Sequence, residues 1–329
     1  MNYVYVLTAS AADTYYEQFF LSIVSLRLYN PKVPIIALID RNTNKYLLGA
    51  HGGYKKYTSE IKIIDVPEEF SQKESSRWIK TSIHNYVSGD FLFVDCDTII
   101  TDTLDYDFDP SIKAGAVLDT HITLENHHLK KYFEDSDRKI GFSASFKEKK
   151  HYNGGLVYCK NDPEGKLFFD KWHELWLYSR SRGNSQDMPS LNQANYDLNN
   201  IITELPGEWN CQISHNGLPY LHNAKIIHYY ATSLASFIPA YRLTAPEILA
   251  SIKATGEIPR EAIKLLENPR AAFKTHSRII ADPAVVGAFD SYFFSKLIDF
   301  NKKHPGLFKK CDNFMAGCTK ITKKIIGKK

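Results

Sequence analysis

Long apolar runs are missing from this chain of 329 residues. No stretch of about 18 consecutive apolar residues occurs, so nothing in it reads as a membrane-spanning helix. The opening segment, Met1 to Thr8, is too short and too uncharged for a signal peptide. Cysteine is sparse: Cys96, Cys159, Cys211, Cys311 and Cys318 are widely spaced and form no CxxC or zinc pattern. That argues against a metal–thiolate site, and together with the missing export signal it reads as a cytoplasmic protein with reduced thiols. A strong charge of one sign is also lacking, the net charge being +4. The excess is concentrated, with ten Lys and two Asp between Lys296 and Lys329, so the rest of the chain is slightly acidic. A uniformly basic nucleic-acid binder would not be distributed this way, and nucleic acid is not an expected partner. No internal repeat is present.

What remains is enough for one large α/β domain and a smaller appendage. Hydrophobic content of 43% is ordinary for a globular protein, while 20 Tyr and 19 Phe supply either a Tyr-rich core or stacking faces for sugars and bases. Strands are expected at Tyr3–Thr8, Val33–Asp40, Ile61–Val66, Phe91–Val94 and Ala114–Leu118. Helices are expected over Asp13–Tyr29, with Phe19, Phe20, Ile23 and Val24 on its apolar face, and from Ser75 or Ser76 to about Val87. Strands alternating with helices imply a mostly parallel sheet. The charged, His-rich stretch 119–150 reads as mobile surface. A turn at His151 feeds a strand to Cys159, helices follow over Pro163–Tyr178 and Asp187–Leu198, and a late strand covers Ala224–Tyr230. Beyond Thr244 the pattern changes to helices broken by Pro246, Pro259, Pro269, Pro283 and Pro305. This sets a boundary near residue 240, between a domain of 1–240 and a helical subdomain of 241–329.

The most informative motif is Asp95-Cys96-Asp97 at the end of the apolar run Phe91-Leu92-Phe93-Val94. A continuous apolar run reads as a buried strand, and open α/β sheets bind ligands at the carboxyl ends of their strands. Hard divalent cations take oxygen ligands and bridge to substrate phosphates, so the motif reads as a metal and diphosphate site. The same Asp-X-Asp-Thr also fits the first motif of haloacid-dehalogenase-like phosphatases. That motif normally opens its fold, however, and here three expected strands precede it, with no Asp-Asp pair downstream. A sugar-phosphate nucleotidyltransferase would need glycines after the first strand, and Thr8-Ala9-Ser10-Ala11-Ala12 has none.

Further segments fall in a consistent order: Thr8 after the first strand, Arg77-Trp78-Ile79-Lys80 before the acidic strand, Tyr152-Asn153-Gly154-Gly155, Asp187-Met188-Pro189-Ser190-Leu191-Asn192, Glu208-Trp209-Asn210, and His228. Together with Asp95-Cys96-Asp97 they resemble a GT-A-fold glycosyltransferase of family eight, glycogenin-like and lipopolysaccharide-galactosyltransferase-like, over about residues 1–235. The resemblance implies a GT-A, Rossmann-like sheet and transfer of a sugar from a nucleotide sugar, UDP by family precedent, to a glycan or glycolipid. Transfer would retain configuration. It implies Asp95, Asp97 and His228 as ligands of Mn²⁺ or Mg²⁺, with Asp95, Thr8, Arg77, Lys80, Asn153, Gly154 and Gly155 on the nucleotide or sugar, and Asp187 as the catalytic carboxylate. A non-catalytic carbohydrate-binding relic of that fold is the alternative.

Three departures stand out. The family's Gly-X-X-Lys-Pro-Trp does not follow His228, so the lysine on the departing phosphate is unassigned. Met188 stands where the family has Gln, which leaves Asp187 or a substrate oxygen to stabilise the far face of the sugar. Residues 121–151 match no family acceptor loop. In the tail, Phe308, Phe314, Met315, Ile321, Ile325 and Ile326 interleave with Lys309, Lys310, Lys320, Lys323 and Lys324. That pattern suits an amphipathic anchor on the anionic inner face of a membrane.

Overall fold

The computed structural model describes residues 1–48, 50–104, 108–229, 242–273, 287–288 and 291–326, with the backbone alone for 50 and 316–326. The chain divides into two compact units, Met1–Ser277 and Arg278–Lys329. A seven-stranded sheet organises the first, in the order β3-β2-β1-β4-β7-β6-β8. Its strands are β1 (Asn2–Leu7), β2 (Ile35–Asp40), β3 (Glu60–Ile64), β4 (Phe91–Val94), β6 (Ala114–Leu118), β7 (Tyr152–Cys159) and β8 (Ile202–Glu204). β7 runs antiparallel to β4 and β6, and the other neighbours are parallel, so the sheet is mostly parallel as expected. A smaller sheet joins β5 (Thr98–Ile100), β10 (Ile226–His228) and β9 (Cys211–Gln212).

β1 pairs with β2 on one side and with β4 on the other. The chain leaves β1 towards β2 and β3, then returns to β4, so the connections reverse between β1 and β4. A crevice opens beyond the carboxyl ends of the two strands at such a switch point. Thr8 follows β1 there, and Asp95 follows β4.

The pleat sends alternate side chains to two cores. Tyr3, Tyr5, Leu92 and Val94 pack with α1 (Tyr15–Tyr29), the smaller sheet and α8 (Pro246–Thr255). Val4, Val6, Phe91 and Phe93 pack with α3 (Gln72–Thr81), α6 (Pro163–Ser181) and α7 (Met188–Asp197). α1 is buried continuously from Tyr16 to Leu26, as a helix held between layers must be. Ile248, Leu249 and Ile252 of α8 lie in the same core as Tyr16 and Phe19. The helices that follow Thr244, as far as Ala272, thus pack within the first compact unit, Met1–Ser277.

Two local expectations are corrected. α3 starts at Gln72, earlier than Ser75, because Ser71 and Glu74 form a reciprocal capping box. It ends at Thr81, where the Thr81 and Ser82 hydroxyls donate back to the carbonyls of Arg77 and Trp78. The stretch 119–150 is folded, with α4 (Lys130–Ile140) and α5 (Ala144–Lys147). Phe133, Asp137 and Ile140 line the buried face of α4. Asp137 accepts from Ser145 N, and Gly141, at φ 92°, closes the helix in the left-handed region that glycine favours. Lys131, Arg138, Lys139, Lys149 and Lys150, part of the charge that suggests mobility, are exposed.

Candidate active site

Strand pairing brings the acidic motif and the late histidine together. β5 and β10 are antiparallel with Thr98 opposite His228, and Tyr229 N donates to Asp97 O at 3.1 Å. His228 Nε2 lies 3.1 Å from Asp97 Oδ1. One ligand atom each from Asp95, Asp97 and His228 falls within 4.8 Å of the others. β7 begins opposite the end of β4, and Asp95 N donates to Gly155 O at 2.8 Å. A Cβ on Gly155 would meet His228 Cε1 at 2.3 Å, so the glycine clears room for the imidazole. Burial would lower His228, but the charge and hydrogen bond of Asp97 outweigh it and raise the imidazole above its ordinary value.

The opposite wall is cationic. Arg77 and Lys80 project from α3 towards Asp187, with Lys80 Nζ 2.6 Å from Asp187 Oδ2 and 3.5 Å from Asp95 Oδ1. Arg77 Nε is 3.4 Å from Asp187 Oδ1. Asp187 stands at the N-terminus of α7, yet its side chain makes no capping bond to the helix. It is spent on the two cations. Burial alone would raise its carboxyl, but Lys80 and Arg77 hold it well below the usual carboxylate range. Trp172 Nε1 donates to Asp187 O at 3.1 Å, which ties this corner to the core of α6. Asn192, one helical turn along α7, grips both Tyr152 N and Tyr152 O and so pins the start of β7.

A cavity of about 620 Å³ lies between these walls. Thr8, Arg77, Lys80, Asp95, Asp97, Asn153, Gly154, Gly155, Asp187 and His228 all line it, so the fold brings the residues expected to bind metal, nucleotide or sugar, and the expected catalytic carboxylate, to one place. Sequence reasoning missed others. Gln72 binds Thr8 in both directions, its side-chain Nε2 donating to Thr8 O at 2.8 Å and its main-chain carbonyl accepting from Thr8 Oγ1 at 3.1 Å. Gln186 lines the cavity beside Met188. Asn210, noted in the sequence only as part of the Trp-Asn segment and with no role, is fully buried against His228. Asp119, read as mobile surface, is buried behind Asn153 and held down to about 2, because hydrogen bonds and charge from His127, with help from His151 and Asn153, overcome its burial. Thr120 and His121 after it adopt φ of 53° and 59°. A β-branched residue there is an outlier of the kind that clusters at sites. Trp209 is core packing.

Fold and site together define a GT-A glycosyltransferase. Glycosyl transferase family 8 matches residues 11–233, and the chain belongs to that family. Family membership sets the phosphatase reading aside. No match is found among curated proteins. Among solved structures, the chain is similar to the bifunctional glycosyltransferase WbbM, at 13% identity and a TM-score of 0.51 over 82% of this chain and 51% of that one. It is also similar to the galactosyltransferase LgtC in complex with donor and acceptor sugar analogues, at 16% identity and a TM-score of 0.49 over 80% and 99% of the two chains. Mouse xyloside xylosyltransferase 1 aligns at 12% identity and a TM-score of 0.46, over 71% and 99%.

Proposed function

We propose that this protein is a divalent-metal-dependent hexosyltransferase that moves a sugar from a nucleotide sugar, UDP by family precedent, to a glycan or glycolipid with retention. The observation that carries this reading is the convergence of Asp95, Asp97 and His228 on one wall of the cavity, facing Arg77, Lys80 and Asp187 on the other. The donor set fits a cation. Two carboxylates and an imidazole within 4.8 Å suit Mn²⁺, or Mg²⁺ with less help from the imidazole. Asp95 keeps 31% of its side chain open to solvent, so a substrate oxygen can share the ligation. Bound there, the metal would supply Lewis-acid neutralisation of the departing diphosphate.

The chain's own groups do the rest. Thr8, braced by Gln72, faces the nucleoside end. Arg77 and Lys80 meet phosphate or ribose oxygens as charged donors. Asp187, held as the anion, has no proton to give, so it acts on positive charge developing at the sugar carbon. Met188 brings no amide to that rim. Asn153, Gly154 and Gly155 form the wall beside the sugar.

The test is hydrolysis and transfer with a panel of UDP-sugars and Mn²⁺. Slow hydrolysis is expected, abolished in Asp97→Asn at nearly unchanged thermal stability and abolished reversibly by EDTA. Full activity in EDTA would overturn the metal assignment. Absence of hydrolysis with every donor would favour the non-catalytic relic. A β-linked product from an α-linked donor, seen by NMR, would overturn retention.

The second unit supports a further partner, an anionic membrane surface on the cytoplasmic side. None of the described helices is long and apolar enough to cross a membrane. The helices Tyr292–Lys303 and Pro305–Ile326 expose Tyr292, Phe293, Ile298, Leu307, Phe314 and Met315. Lys302, Lys303, Lys309 and Lys310 are exposed on the same helices. Apolar contact combined with basic charge is the chemistry of reversible surface binding. The side chains of Lys320, Ile321, Lys323, Lys324, Ile325 and Ile326 lie outside the described residues.

A further inference from the structure

His228 stands at one end of a buried chain of polar side chains. Its Nδ1 lies 2.9 Å from Asn210 Oδ1. Asn210 Nδ2 donates to Asn153 Oδ1 at 3.0 Å, and Asn153 Nδ2 donates to Asp119 Oδ1 at 2.8 Å. Asp119 Oδ2 accepts from His127 Nε2 at 3.1 Å. None of these five residues is more than 5% exposed.

The direction of each link follows from the one before. An ionised carboxylate only accepts hydrogen bonds. Asn153 must therefore turn its NH₂ towards Asp119 and its oxygen towards Asn210. A second constraint says the same: Gly155 N, a backbone donor that cannot be reversed, also donates to Asn153 Oδ1 at 2.8 Å. Asn210 must then turn its NH₂ to Asn153 and its oxygen to His228. The ring nitrogen facing that oxygen has to be Nδ1–H. Nε2 faces Asp97 Oδ1, on the side of the ring where the acidic pair lies, and any hydrogen it carries to that carboxylate is the one a cation would replace.

We propose that Asp119, Asn153 and Asn210 are positioning residues that fix the tautomer and ring angle of His228. They keep the proton on Nδ1 and present Nε2, with Asp95 and Asp97, to a divalent cation. Asn153 thereby acts through His228, and the buried Asp119, which touches none of the three ligands, sets the polarity of the whole relay. The inference rests on the metal reading given above.

The test is Mn²⁺ titration without any nucleotide sugar, on wild type, Asn210→Leu and Asp119→Asn, with thermal melting as the check on folding. Outer-shell partners of a metal histidine typically contribute 10–100-fold to metal affinity. Asn210→Leu is expected to weaken Mn²⁺ roughly tenfold or more, and Asp119→Asn to weaken it in the same direction from three links away. NMR of wild type with isotope-labelled histidines, loaded with Cd²⁺, gives a reading that does not depend on a core variant folding. Metal on Nε2 and a proton on Nδ1 are expected. Metal on Nδ1 would overturn the relay, as would two folded variants with wild-type Mn²⁺ affinity. A wild-type protein that binds no divalent cation would instead remove the metal reading, and the relay with it.

Discussion

Asp119 is buried at 5% exposure, which alone would raise its carboxyl, yet His127, His151 and Asn153 favour the charged form and hold it down to about 2, below its ordinary 3.8. A carboxylate depressed on folding contributes stability that is present above about 3.8 and is lost as the pH falls through the folded value near 2. A shift of that size corresponds to about 2 kcal/mol. Asp119→Asn is therefore expected to flatten the acid limb of the unfolding free energy between about pH 4 and pH 2, measured by denaturant titration across pH. An unchanged acid slope would contradict the assignment. Nothing local announces this role. Asp119 looks like one more charge in a polar stretch, and its partners come from residues 127 and 153 through the fold. Asp95 and Asp97 are legible because an apolar strand points at them. Gly155 is legible as a special position, and the structure adds a reason that its sequence does not give: a Cβ there would meet His228.

At the scale of elements, α3 carries Arg77 and Lys80 to the cavity, and its start is set by Ser71 and Glu74. Removing such an N-cap costs about 1 kcal/mol. Ser71→Ala should lower the denaturation free energy by about that amount, measured with urea, while Ser76→Ala, inside the helix, should change it much less. Equal effects would mean that the cap is not what fixes the helix start. Strands and buried helices are read well from their sequence because continuous apolar runs leave few alternatives. β4 and the aromatic row of α6 are examples. The start of α3 is harder, since Ser75 and Ser76 compete with the Ser-X-X-Glu signature at Ser71. α4 is harder still. Its buried face is Phe133, Asp137 and Ile140, and an acid in the middle of an apolar stripe hides the period.

At the scale of the molecule, the two units separate chemistry from charge, since every cavity residue lies before Ser277. Deleting residues 278–329 is expected to abolish binding to anionic vesicles and to leave soluble nucleotide-sugar hydrolysis intact. Each Lys near such a surface contributes on the order of 1 kcal/mol, screened beyond a Debye length of about 10 Å at 0.1 M salt. Salt should therefore release the full-length protein, and a full-length protein that ignores vesicles at low salt would sink the anchor reading. The two-wall cavity has its own consequence at this scale. Asp95, Asp97 and Asp187 already face Arg77 and Lys80 across the cavity, so much of the wall charge is offset before anything enters. A dication alone would meet the fixed charges of Arg77 and Lys80, and a diphosphate alone would meet three carboxylates. Arriving together, they cancel. UDP and Mn²⁺ are thus expected to raise each other's affinity by the same factor, readable by calorimetry in either order of addition. A UDP affinity indifferent to Mn²⁺ would show that the donor does not travel with its counterion.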